Sequence, residues 1–250
     1  MQLHTEIVGA GGPTLLLLHG MGVNGAVWRA FIEQVQLWWP GRIVAPDFRG
    51  HGRSAQGVHY GYGHHAVDCA ELLEPNAPVF IVGHSMGGAI AVRLADGCYG
   101  IDVKGVLAFA VKADWSREEL EKVWSLAKGP VRWFDTRAEA TERFLRVAGL
   151  SGLVSADHPV VEAGIREEGG RHRLAMDPAT FSAPGPDFGA MLRSARAPVR
   201  LATGSEDKMA PIGMARKYDA DAVEWPNVGH NVHVEAPGVL AALVRRIFIP

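Results

Sequence analysis

Gly83-His84-Ser85-Met86-Gly87 constrains this chain more than any other stretch. It follows an apolar run, Val79-Phe80-Ile81-Val82, and precedes the small-residue segment Ala89-Ile90-Ala91-Val92-Arg93-Leu94-Ala95, which reads as a helix. A strand that passes straight into a helix through Gly-x-Ser-x-Gly turns so tightly that the serine backbone is strained. Glycines at both flanks suit such a turn, because a Cβ atom there would clash. The turn is expected to lift the Ser85 hydroxyl clear of a sheet, at a helix N-terminus. There the unpaired N–H groups and the helix dipole favour developing negative charge.

The rest of the pattern predicts the fold that holds this turn. Thr14–Leu18, Arg42–Pro46, Val79–Val82, Val103–Ala110, Val199–Gly204 and Ala222–Trp225 read as strands, several of them apolar throughout. Helical spacing of apolar residues falls over Trp28–Trp38, Tyr62–Leu73 and Pro237–Ile249. Apolar strands alternating with helices specify an α/β class with a mostly parallel central sheet and helices on both faces. The rhythm breaks from about Ala113 to Arg196. Amphipathic helices are expected near Arg117–Ala127 and Arg137–Leu150, with no sheet strands. A third helix is expected around Pro159–Gly170, ended by Gly169-Gly170, before a proline-rich irregular return. A structureless loop of that length inside a domain is uncommon. Residues 113–196 are therefore expected to form an inserted helical cap on a core made of 1–112 and 197–250. A crossover helix with a long loop is the alternative.

Composition narrows the function classes. The chain has 250 residues with a net charge of −2 and no block of Lys or Arg, which argues against nucleic acid and anionic membrane as partners. Apolar runs are strand-length, too short to span a membrane. Two cysteines, Cys69 and Cys98, give neither a disulfide framework nor a metal spacing. The opening Met1-Gln2-Leu3-His4-Thr5-Glu6 lacks the basic and apolar regions of a signal peptide, so a cytoplasmic location is expected. The sequence does not specify an oligomeric state.

A serine hydroxyl needs a base to take its proton and a third group to orient that base. In the order Ser, then Asp or Glu, then His, the chain supplies both after predicted strands. Gly204-Ser205-Glu206-Asp207 follows Val199–Thr203, and Val228-Gly229-His230 follows Ala222–Trp225. The best-placed triad is Ser85, Asp207 and His230. Glu206 and Asp114 compete for the acid position, and His233 for the histidine. An oxyanion would need donors. The backbone N–H groups of Met86 and Met21 are the candidates, the latter in His19-Gly20-Met21-Gly22. Met21 and Met86 side chains, with Trp115 and Trp133, are candidates for the substrate pocket. Trp124, Phe134, Phe144 and Met176 could line it or be core. His19 and His84 read as structural hydrogen-bonding rings, and His64-His65 lacks the partners of a metal site.

Five motifs in order make the chain resemble the α/β-hydrolase fold superfamily. They are His19-Gly20-Met21-Gly22 with Trp28, Pro46 to Ser54, Gly83 to Gly88, Gly204-Ser205-Glu206-Asp207 with Pro211, and Gly229-His230 with Glu235 and Pro237. The resemblance implies an eight-stranded-type core, a helical cap and cofactor-free Ser/His/Asp chemistry. It is nearest to small esterases, cofactor-free perhydrolases and C–C bond hydrolases. The N-terminus is short, so the family's first edge strand is expected to be absent. A small-molecule ester, lactone or thioester is the expected substrate, cleaved through an acyl-enzyme. Cleavage of a C–C bond in a vinylogous diketone by the same triad is an alternative, disfavoured because members of that type often carry Asn where this chain has His84. A ligand-binding role without catalysis is a second alternative.

Overall fold

Every residue of Thr14–Leu18 is buried, which a strand with one wet face could not achieve. Leu15 and Leu17 enter one apolar cluster, and Leu16 and Leu18 another. Alternate side chains of a strand point to opposite faces, so these clusters are the two layers that sandwich the sheet.

A computed structural model describes residues 1–249. The chain runs through β1 (Thr5–Val8), β2 (Thr14–Leu18), α1 (Arg29–Val35), β3 (Arg42–Pro46), α2 (Tyr62–Ala70), β4 (Pro78–His84), α3 (Met86–Leu94) and β5 (Asp102–Phe109). It then leaves the sheet through α4 (Arg117–Ala127), β6 (Trp133–Phe134), α5 (Arg137–Ala148), α6 (Pro159–Gly164), β7 (Ile165–Glu168), β8 (Arg171–Leu174) and α7 (Phe188–Ser194). It returns as β9 (Val199–Gly204), α8 (Ile212–Arg216), β10 (Val223–Trp225), α9 (Val232–Glu235) and α10 (Pro237–Phe248). The main sheet has seven strands in the order β1-β3-β2-β4-β5-β9-β10. All neighbours are parallel except β1, which pairs antiparallel with β3 from Thr5↔Pro46 to Val8↔Ile43. The count is one fewer than the eight-stranded type, and the short N-terminal strand serves as the edge.

The excursion between β5 and β9 departs from the expected all-helical form. Residues expected to continue a helix to Gly170 form a hairpin instead. α6 stops at Gly164, and β7 and β8 pair across Gly169-Gly170, with β6 added to make a three-stranded sheet. Gly169 and Gly170 have φ of 58° and 75°, the left-handed conformation that glycine tolerates in a two-residue hairpin loop. The proline-rich return also contains α7, whose Phe188 and Met191 are buried in the same cluster as α3. Among the described residues no helix is long and apolar enough to cross a membrane.

Candidate active site

The parallel strands deliver their C-terminal ends to one edge of the sheet, where ligands bind in open α/β folds. Ser85 follows β4 with φ 52° and ψ −115°, a left-handed conformation that a serine adopts only under strain. Its N–H bonds to the Phe109 carbonyl over 2.9 Å, which ties the turn to β5. A Cβ on Gly87 would overlap the carbonyl oxygens of Leu18 and His19, and one on Gly83 would overlap that of Gly87. The two glycines of the motif are thus required by close approach of backbone, as the sequence reading expected.

Asp207 and His230 meet. His230 Nδ1 lies 2.8 Å from Asp207 Oδ2, and the Asp207 side chain is essentially buried while that of His230 is about a quarter exposed. The other carboxylate oxygen accepts from the N–H groups of Met209 and Ala210, at 2.9 and 3.1 Å. Burial opposes charge on Asp207, but the His230 contact and these backbone donors outweigh it and hold the carboxyl below its usual range. The competing acid Asp114 is engaged elsewhere, accepting from Lys217 Nζ and Tyr218 Oη at 2.6 Å each. His233 is fully buried in α9, 4.5 Å from His84 and 4.6 Å from Trp28 between ring centres.

His230 is held from both sides. Glu235 accepts from the N–H of Gly229 at 2.7 Å and of Asn231 at 2.9 Å, so one carboxylate fixes the backbone before and after the imidazole. His84 Nε2 reaches the His230 carbonyl at 3.1 Å. His19 Nδ1 donates to the Gly20 carbonyl at 2.7 Å, and its Nε2 accepts from the Phe48 N–H at 2.9 Å. That pairing fixes a neutral ring, consistent with burial pushing it down to about 4.

Ser85 and His230 line one cavity of about 420 Å³ together with Gly20, Met21, Met86 and Trp115. Among the described residues, neither the Met21 nor the Met86 N–H has an acceptor. Trp133 is not in this wall. It sits in β6, paired across from Arg173, whose guanidinium lies 5.7 Å from its ring centre. Phe134, Phe144 and Met176 are buried away from the cavity, and Trp124 donates to the Pro184 carbonyl at 2.8 Å. Lining residues that the sequence did not single out include Tyr62, Lys112, Val123, Val147, Phe181 and Met209. They come from separate elements with no shared spacing, and only the fold brings them together.

The sequence matches the model of the family described as "Alpha/beta hydrolase family" over residues 15–243. It is 31% identical over 157 residues to protein phosphatase methylesterase 1 of Bos taurus, covering 59% of this chain and 41% of that protein. It is 36% identical over 100 residues to the pimeloyl-[acyl-carrier protein] methyl ester esterase of Vibrio campbellii, covering 38% of this chain and 35% of that one. The matched stretch is thus less than half of either relative's length. Among solved structures, E-2-(acetamidomethylene)succinate hydrolase superimposes with a TM-score of 0.79 at 20% identity, covering 98% of both chains. The thioesterase domain from the curacin biosynthetic pathway gives 0.75 at 20% identity, covering 98% of this chain and 99% of that one. At such identities the likeness concerns the fold.

Proposed function

The chain belongs to the alpha/beta hydrolase family, and within it we propose a serine hydrolase that cleaves a small-to-medium carboxylic ester through an acyl-enzyme. The observation that carries this reading is the strained Ser85 on the wall of the same cavity as His230, whose imidazole is paired with buried Asp207. Ser85 Oγ attacks the acyl carbon while His230 Nε2 takes its proton and then gives it to the leaving alcohol. Asp207 holds Nδ1–H, which fixes the tautomer and offsets the imidazolium charge. The N–H groups of Met86 and Met21 receive the oxyanion; having no protein acceptor, they give up nothing to do so. Water, activated by His230, then attacks the acyl-enzyme and restores the serine.

No metal or organic cofactor enters these steps. Residues 113–196 act as a cap, contributing Trp115, Val123 and Phe181 to an apolar wall. The names of the two relatives quoted above describe esterases that act on methyl esters, which supports a small alcohol as leaving group. A cytoplasmic location is part of the same proposal, supported by two unpaired cysteines.

The test is hydrolysis of a graded series of p-nitrophenyl esters, acetate through long chain, by the wild type and Ser85→Ala. Turnover that depends on Ser85 and peaks at short or medium chains supports the reading. Undiminished hydrolysis in Ser85→Ala overturns it.

A further inference from the structure

Two cationic side chains line the cavity that holds Ser85, and they differ in kind. Arg146 is 64% exposed and pairs with Glu142 on its own helix. Lys112 is only 18% exposed, pairs with Glu119 at the start of α4, and has its ammonium 4.9 Å from the centre of the Trp115 ring. Glu119 is already committed through its other oxygen, which accepts from the Ser116 N–H at 2.9 Å in the capping box of α4. An ammonium has three N–H donors. Glu119 takes one, and among the described residues no other group accepts from Lys112.

The backbone that presents this lysine is unusual too. β5 ends at Phe109, and Ala110 follows with φ 53°, a conformation that a non-glycine residue adopts at a cost. Val111 and Lys112, the next two residues, both line the cavity. Placing a largely covered lysine side chain, with spare ammonium donors, in an apolar wall is costly if the pocket takes a neutral chain, where an aliphatic side chain would pack better.

We propose that Lys112 selects the substrate by receiving a second, anionic group remote from the reacting carbonyl, so that the preferred substrates are half-esters of dicarboxylic acids. The inference rests on the esterase reading above. The free carboxylate takes the two unused donors, Glu119 keeps the third, and Trp115 supports the ammonium through its ring face. Hydrolysis then adds water across the ester bond, giving the diacid and the alcohol.

The test compares kcat/KM for p-nitrophenyl half-esters, succinate through suberate, with that for the neutral p-nitrophenyl ester of the matching monoacid. The wild type is expected to favour the half-ester at one chain length by about tenfold or more, tenfold being the low end for even one hydrogen bond between charged groups. Lys112→Met abolishes that ratio and Lys112→Arg retains it. Glu119→Gln, which keeps the cap but removes a competing negative charge, raises it. A general loss of folding or reactivity lowers both rates and leaves the ratio intact. No preference at any length, or a preference unchanged in Lys112→Met, overturns the inference. If the wild type hydrolyses none of these esters, the esterase reading fails and Lys112 is judged by calorimetric titration with the diacids. Binding weakened about tenfold by Lys112→Met supports its role, and absent or equal binding overturns it.

Discussion

His84, the residue before the strained serine, donates from Nε2 to the backbone carbonyl of His230 over 3.1 Å. Its ring also abuts the loop after β2, since a Cβ on Gly20 would come within 2.7 Å of His84 Nδ1. One imidazole therefore spaces three parts of the site: the serine turn, the Gly20-Met21 loop and the His230 loop. Burial pushes it well below its ordinary value, so it stays neutral and keeps one ring nitrogen as donor.

Replacing His84 by Phe keeps the bulk and removes the donor. The His230 carbonyl then loses a partner and the imidazole is free to drift. Misplacement on the ångström scale costs up to about 100-fold in the chemical step, so kcat should fall by about 10- to 100-fold with little change in KM. His84→Asn, which can still donate, should recover part of the loss. Steady-state kinetics of the two variants check this, and an unaltered kcat in His84→Phe would deny the contact any part in positioning.

Asp207 and Asp114 are separated by their partners. Asp207→Asn leaves the geometry but favours the wrong imidazole tautomer, so kcat should fall by about 10³–10⁴. Asp114 bonds Lys217 and Tyr218 and has no contact with His230, so Asp114→Asn should stay within about twofold of wild type, the spread of an ordinary surface change. Rates for the pair, measured on one ester, decide which acid serves His230.

Acid should destabilise the fold from well above the carboxylate range. Burial pushes His19 down to about 4 and His233 to about 3, and burial with the nearby His19 takes His51 to about 3. In the unfolded chain these rings protonate below about pH 6.5. There the unfolded state binds more protons than the folded one. Stability therefore falls as pH drops, by about 1.4 kcal/mol per pH unit for each ring, until the folded values are reached. Urea midpoints should decline steeply from pH 6.5 to 4.5, and His233→Phe should shallow that slope by one ring's share. A midpoint flat across the range contradicts the neutral buried rings.

The site was more legible than its surroundings, for physical reasons. β2 and β4 were visible because strands buried on both faces read as unbroken apolar runs. The serine turn was visible because both its glycines answer to close backbone, Gly83 to the motif's own Gly87 and Gly87 to the end of β2. The β7–β8 hairpin was not. Ile165-Arg166-Glu167-Glu168 and Arg171-His172-Arg173-Leu174 are too polar to suggest strands; cross-strand pairing and Arg173 against Glu168 hold them, with only Ile165 and Leu174 reaching the apolar core. Gly169-Gly170 carried the missed signal, since two glycines between short runs mark a hairpin as readily as a helix end. Trp133 was misjudged because aromatic content does not tell which side of a small sheet a ring occupies, and Lys112 reaches the cavity only through the left-handed turn at Ala110.

The most direct measurement is acid-quenched mass spectrometry during turnover of p-nitrophenyl acetate. The mechanism predicts a single acetyl adduct on the peptide containing Ser85, absent from Ser85→Ala together with nearly all hydrolysis. Turnover that proceeds in Ser85→Ala at the wild-type rate, with no adduct on Ser85 in either protein, would contradict it.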